Sequence, residues 1–326
     1  MNSGRQSAIV AIGGGTGMPV LLKGLKQYTG DITAIASVAD DGGSSGRLRE
    51  ELGMIPPGDI RNCLAALAEA DPAVIAAFQH RFETGSLAGH SMGNLFLAAM
   101  ARVCGDAGMA IERAGDLLEA RGRVIPASLD DVTLCAVKSG GLEVAGQSAI
   151  MAEPGPCQRV WLEPDRTQAP TEAVAAIGDA DLVVLGPGSL FTSLIPNLLI
   201  EDIRTAVAGV SCPRVFICNV MTQPGETDGF GAADHLRAVM DHAGEEIIDA
   251  VVVNDSSSMP GEAFNNGRNG EEPVAPEIER LESMGARVIL ADVVRNDEAG
   301  QHDSRKLAAA VMSLMDTRDN CRSLPR

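Results

Sequence analysis

The stretch "AIVAIGGGTGMPVLLKGLKQYTGDITAIASV", residues 8–38, decides the fold. Ala8–Ile12 is a short apolar run with no alternation, the texture of a strand buried on both faces of a parallel sheet. The glycine-rich turn "GGGTG" follows. Apolar residues then recur at Met18, Leu21, Leu22 and Leu25, one face of a helix that stops at Gly30. Ile32–Val38 is a second apolar run. Strand, glycine loop, helix, strand is the βαβ unit with which doubly wound α/β folds begin.

The same grammar continues outward. Helical spacing is expected over 61–69, 72–82, 91–103 and 111–121, then over 196–208, 230–243, 275–284 and 303–315. Apolar strands are expected at 180–188, 214–220, 247–255 and 286–294, with "RVWLEP" (159–164) as one more. The predicted architecture is therefore a single Rossmann-like α/β domain over 1–326, its mostly parallel central sheet covered by helices on both faces. Between the two halves "DVTLCAVKSGGLEVAGQSAIM" turns around Ser139-Gly140-Gly141 and reads as a β-hairpin appendage within 130–163. Residues 254–276, rich in Gly, Asn and Ser, read as a flexible loop.

Composition narrows the function classes. With 45% hydrophobic and 21% charged residues the chain is globular. It lacks an apolar run of transmembrane length, which predicts no membrane association. Seven cysteines without a CxxC pair point to reduced thiols and a cytoplasmic setting. The net charge is −18, with 12 basic and 16 acidic residues in 1–150 against 14 and 28 in 151–326. Such a chain offers no basic face to a phosphate backbone, so nucleic acid is not an expected partner.

Polar loops follow the apolar runs, and in an open α/β sheet ligands bind outside the carboxyl ends of the strands. Gly14, Gly15 and Gly17 let backbone approach a ligand, and Thr16 adds a hydroxyl at a helix N-terminus suited to phosphate. The last glycine of the dinucleotide fingerprint is replaced by Met18. In "ADDGGSSGR", Asp40 and Asp41 sit where a dinucleotide fold keeps its ribose-binding acid, which keeps an NAD-binding oxidoreductase in view. The two acids also suit ribose or sugar hydroxyls on one side and Mg²⁺ on the other. Ser44 and Ser45 form a second candidate anion nest beside Arg47. The alternative for Arg47 and Arg49 is a surface helix pairing with Glu50 and Glu51. Asp59 reads as a helix N-cap. His90 and Asn94 stand four apart at a helix start, on one face. "GPGSLFTSLIPN" contributes Gly188, Ser189 and Asn197, with Thr192 and Ser193 also turned to the cleft. "NVMTQPGETDGF" contributes Asn219, Thr222, Thr227 and Asp228. The string "GPGSLFTSLIPN" does not resemble a nucleophile elbow, no Ser-His-Asp set is seen, and no catalytic residue is assigned.

Six strings in order, "AIGGGTGMPVLLKGLK", "VADDGGSSGRLR", "PPGDIRN", "GHSMGNL", "GPGSLFTSLIPNLL" and "NVMTQPGETDGFGAADH", resemble the gluconeogenesis-factor (YvcK-type) branch of the CofD-like family over about residues 8–315. The resemblance implies a Rossmann-like, usually dimeric protein that binds a UDP-sugar, typically UDP-N-acetylglucosamine. It also implies regulation of cell-wall precursor supply and cell shape, with a protein partner in that synthesis. CofD relatives are Mg²⁺-dependent transferases that move a phospholactyl group onto a deazaflavin, the alternative function. One position departs from the pattern: the branch commonly reads Arg-His-Asp where this chain has Gln301-His302-Asp303. Glutamine cannot supply the charged fork of arginine to a diphosphate. A plain alternative makes 300–303 a solvated turn with Asp303 capping the last helix.

Overall fold

The structure is a computed structural model that describes residues 6–255, 270–295 and 300–322. Seven parallel strands form the central sheet: β1 (Ile9–Gly13), β2 (Ile32–Ala36), β3 (Arg123–Pro126), β7 (Leu182–Leu185), β8 (Arg214–Ile217), β9 (Ala250–Asn254) and β10 (Arg287–Ala291). Their order is β10-β9-β8-β7-β1-β2-β3. A second, antiparallel sheet orders β4 (Thr133–Lys138), β5 (Glu143–Ala145) and β6 (Cys157–Glu163) as β5-β4-β6. The "RVWLEP" strand belongs to this small sheet, so the appendage is a three-stranded antiparallel sheet with β4 in the middle rather than a hairpin alone.

Helices fill the crossovers: α1 (Gly17–Leu25), α2 (Gly43–Leu52), α3 (Gly58–Leu67), α4 (Pro72–Gln79), α5 (Met92–Cys104), α6 (Ala107–Leu117), α7 (Gln147–Ala152), α8 (Thr171–Gly178), α9 (Ile195–Leu198), α10 (Glu201–Gly209), α11 (Ala232–Ala243), α12 (Ile278–Ser283) and α13 (Ser304–Arg322). The helix expected over 196–208 is broken: a π-helical turn, Leu190–Leu194, runs into α9, and α10 starts afresh after Ile200. Most of the loop expected over 254–276 falls on 256–269, outside the described residues. Among the described residues no helix is long and apolar enough to cross a membrane.

β1, β2, β7 and β9 are buried along their whole length, as apolar runs without alternation require. β1 is the pivot. It pairs with β2 from Ile9↔Ile32 and with β7 from Ile9↔Leu182. The chain winds outward from β1 to β3, leaves the sheet to build the appendage, and returns to wind the other way from β7. The boundary between β1 and β7 is thus the topological switch point, where the two following loops part and leave a crevice.

α1 packs on α13 and α3. The contact with α13 requires Gly24, since a Cβ there would lie 2.0 Å from the Ser304 carbonyl oxygen and 2.7 Å from Ala308 Cβ. Gly24→Ala is expected to cost about 1–3 kcal/mol through overpacking. Urea unfolding checks it, and an unchanged midpoint would show that α13 shifts freely.

Candidate functional site

The loops after β1 and β7 touch backbone to backbone. A Cβ on Gly17 would lie 2.9 Å from the Pro187 carbonyl carbon, and one on Gly188 (φ +154°) would lie 2.6 Å from the Gly14 carbonyl oxygen. No larger residue fits either position. This contact forms the floor of a cleft of about 520 Å³ lined by Thr16, Gly17, Gly188, Ser189, Asn219, Thr222, Gln223, Glu271, Gln301 and His302. Thr16 occupies the N-cap of α1 without spending its hydroxyl on the cap. Asn219 Nδ2 donates to the Gly188 carbonyl (2.9 Å), and Gln223 Nε2 donates to Ser189 Oγ (2.8 Å). These bonds tie the loop after β8 to the loop after β7.

Gln301 lines this cleft, and Asp303 caps α13 by accepting from the Arg305 and Lys306 N–H groups, both at 2.9 Å. His302 is buried beside it, and its Nε2 has no hydrogen-bond partner. Burial pushes its pKa down to about 4, so the ring is neutral at pH 7.

A second cluster adjoins the β1 loop. Asp59, on the first turn of α3, is buried and accepts from the Gly15 N–H. Burial pushes its pKa up to about 7; the Gly15 bond opposes this, and the nearby Asp40 carboxylate adds to it. Asp40 Oδ1 accepts from the Gly42 N–H at 2.9 Å. A Cβ on Gly58 would lie 2.8 Å from Asp40 Oδ2 and 2.5 Å from Ser45 Oγ, so that glycine lets α3 approach both. Ser44, His90 and Asn94 form a buried chain: Asn94 Nδ2 donates to Ser44 Oγ (3.1 Å), leaving the Ser44 proton available to His90 Nδ1 (3.0 Å).

Several residues expected at the site face elsewhere. Asp41 Oδ1 accepts from the Ser148 N–H (2.8 Å) at the start of α7, so the two adjacent aspartates diverge and the carboxylate beside Asp40 is that of Asp59. Asn197 donates to the Ser193 and Leu194 carbonyls within its own turn. Thr192 donates to buried Glu226 (2.7 Å). Thr227 accepts from the Gln223 N–H and Asp228 from the Gly225 N–H, closing the loop they belong to. Arg47 donates to the Ala88 carbonyl, and Arg49 pairs with Asp131 on the appendage; neither pairs with Glu50 or Glu51. Asp59 is not an N-cap, since Pro57 holds that position. Sequence reasoning assigned no ligand role to Asp59, Gln223 or His302. The strings "PPGDIRN", "TQPGET" and Gln301-His302-Asp303 were visible, but the burial that singles out Asp59 and His302, and the bond from Gln223 to Ser189, were not. Among the described residues no group of three or more His, Cys, Asp or Glu is placed to hold a metal ion.

The family model for 2-phospho-L-lactate transferase CofD matches residues 9–294. A protein named gluconeogenesis factor from Bacillus subtilis (strain 168) is 46% identical over 316 residues, covering 96% of this chain and 99% of its own. One of the same name from Halalkalibacterium halodurans is 43% identical over 310 residues, covering 94% and 96%. A crystal structure of a UPF0052-family protein from Bacillus halodurans superposes with a TM-score of 0.90 at 42% identity, covering 95% of this chain and all of that one. Ordered motifs, switch-point cleft and similarity agree: this chain belongs to the CofD-like family, in its gluconeogenesis-factor (YvcK-type) branch.

Proposed function

We propose that this chain is a regulator that binds a nucleotide sugar of the UDP-N-acetylglucosamine type and couples carbon metabolism to cell-wall precursor supply and cell shape. The observation that carries the reading is the polar cleft between two backbone-packed glycine loops. Its volume of about 520 Å³ suits a nucleotide-sized ligand. The N-terminus of α1 and the Thr16 hydroxyl offer donors to a diphosphate, while Asn219, Thr222 and Gln223 supply neutral polar groups for sugar and base. In this reading the protein acts as a homodimer on a partner in precursor synthesis.

Titration calorimetry with UDP-N-acetylglucosamine, GDP, NAD and a deazaflavin, each with and without Mg²⁺, tests the reading. UDP-N-acetylglucosamine is expected to bind tightest and without metal; binding of NAD alone would overturn it. The dinucleotide reading is weaker because Met18, at the last fingerprint glycine, is fully buried in the core. Gln301→Arg is expected to tighten UDP-sugar binding tenfold or more. A charge-assisted bond contributes about 1.5–3 kcal/mol, and about 1.4 kcal/mol is one decade. Equal affinities would mean that position 301 stays clear of the ligand.

One observation favours the transferase reading, the meeting of Asp40 and Asp59 beside the glycine loop. Two carboxylates without further protein ligands fit Mg²⁺, which binds through one or two carboxylates together with substrate phosphates and water. Mg²⁺ there would supply charge neutralisation for a transferring phosphoryl group. Asp40 and Asp59 would hold it, and Gly15 would keep Asp59 oriented.

A further inference from the structure

Arg47 on α2 and Arg81 after α4 reach one turn, Ala88–Gly89, and Arg61 on α3 lies near enough to Arg81 to feel its charge. Arg47 Nη2 donates to the Ala88 carbonyl (3.0 Å), and Arg81 Nη1 donates to the next one, Gly89 (2.6 Å). Gly89 has φ +84°, and a Cβ there would lie 2.8 Å from Arg47 Nη2, so glycine keeps the guanidinium against the turn. Arg61 Nη2 donates to Asn62 Oδ1 (2.6 Å), while its Nε is buried with no partner. Burial and the neighbouring Arg81 charge both push the Arg61 pKa down, while Asp59 and Asp40 act the other way.

This crowding is unexpected in a chain with 44 acidic and 26 basic residues. Other arginines find carboxylates: Arg49 with Asp131, Arg214 with Asp249 and Arg280 with Asp234. Among the described residues none of Arg47, Arg61 and Arg81 forms an ion pair within 4.0 Å. Two of them are nevertheless fixed on adjacent carbonyls, with most of their N–H donors unspent. The repulsion between Arg61 and Arg81, which Asp59 and Asp40 oppose without forming an ion pair within 4.0 Å, raises the free energy, and an exogenous anion lowers that cost. A carboxylate has one charge and two oxygens for three forks. A phosphate dianion has enough oxygens to engage all three.

We propose that Arg47, Arg61 and Arg81 form an anion subsite for a phosphate-class dianion, on the Arg61 side of the Asp40–Asp59 pair and separate from the glycine-loop cleft. The subsite stands whether or not the cleft binds a nucleotide sugar. Its ligand is inorganic phosphate or the phosphate of a small phosphomonoester, and the two are distinguished by experiment. Inorganic phosphate and glycerol 3-phosphate are titrated separately into the full chain at low ionic strength, with sodium chloride at matched ionic strength as the blank. Arg47→Gln and Arg81→Gln change exposed side chains and are expected to fold normally by circular dichroism. Each is expected to weaken phosphate binding about tenfold, the size of one lost charge-assisted bond. Gln301→Ala, on the cleft, leaves it unchanged. If glycerol 3-phosphate binds with the same arginine dependence, the ligand is a phosphomonoester; if only inorganic phosphate does, it is the free ion. Phosphate binding that is equal in wild type and both arginine variants, or a wild type that responds no more than to chloride, would overturn the subsite.

Discussion

At pH 8.5 the Asp59→Asn variant is expected to be more stable than wild type by about 4 kcal/mol, the value of about three pKa units at 1.36 kcal/mol each. The Asp59 pKa lies near 3.8 in the unfolded chain and about 7 in the fold, where burial is the main cause. Between these values the folded state holds a proton that the unfolded state has released. Stability therefore falls as pH rises from about 4 to about 7, and the whole loss is present above 7. Asparagine keeps an oxygen for the Gly15 N–H and never ionises. The two proteins should match near pH 4 and diverge steadily above it. His302 works in the opposite sense, since its depressed pKa removes stability as pH falls from 6.5 toward about 4. It does so in both proteins, so their difference isolates Asp59. Urea midpoints at intervals from pH 4.5 to 8.5 check the expectation; parallel curves would show that Asp59 ionises freely in the fold.

Lys138→Met is expected to cost about 3–5 kcal/mol, the range for breaking a buried charged pair from one side. Lys138 is 1% exposed, and its Nζ donates to the Ile150 carbonyl (3.0 Å) and to the Gly225 carbonyl. Nearby Glu226, also 1% exposed, accepts from the Phe191 N–H (3.2 Å) and from Thr192 Oγ1 (2.7 Å); burial pushes its pKa up, and these bonds and the Lys138 charge oppose that. Methionine would leave two carbonyls unpaired and a buried carboxylate without its counter-charge. The loss lands where appendage, π-helical turn and the loop after β8 meet. Gln223, which leads that loop into the cleft, should loosen with it. Guanidinium unfolding of Lys138→Met and of the double variant with Glu226→Gln checks the coupling. A single-variant cost below about 1 kcal/mol would make the lysine a bystander.

Apolar runs and glycine stops were enough to place β1, α1, β2 and β7–β10, because strands buried on both faces have a composition of their own. The strand β3 passed unseen: four residues, one of them Pro126, directly after a helix give no pattern to detect. α2 was expected only as the alternative for Arg47 and Arg49, a surface helix, while its first turn looked like a loop. Gly43, Ser44, Ser45 and Gly46 have poor helix propensity, and burial of Leu48 with the Arg49–Asp131 contact outweighs it. The candidate site was half legible. Thr16, Gly188, Ser189 and Asn219 share a cleft because they follow the adjacent strands β1, β7 and β8, and Gln301 joins them from the turn before α13. The direction of each side chain is a tertiary property, so adjacent Asp40 and Asp41 part company, while Asp59, ordinary in a turn-like string, is turned into the interior.

The long excursion between the two halves of the sheet has a kinetic consequence. Ala8 N–H reaches the Asp181 carboxylate across 173 positions of chain, and β1 cannot complete its pairing until β7 exists. On the ribosome β1, β2 and β3 can assemble early, but the free edge of β1 is an all-apolar strand with unpaired N–H and C=O groups. β3 ends at Pro126 and β7 begins at Leu182, an interval synthesised in roughly 3–11 s at ~5–20 residues per second. For those seconds the nascent chain carries a sticky edge, and the appendage is made inside that window. The long-range pairing of the pivot strand is thus expected to slow folding until the second half of the chain arrives.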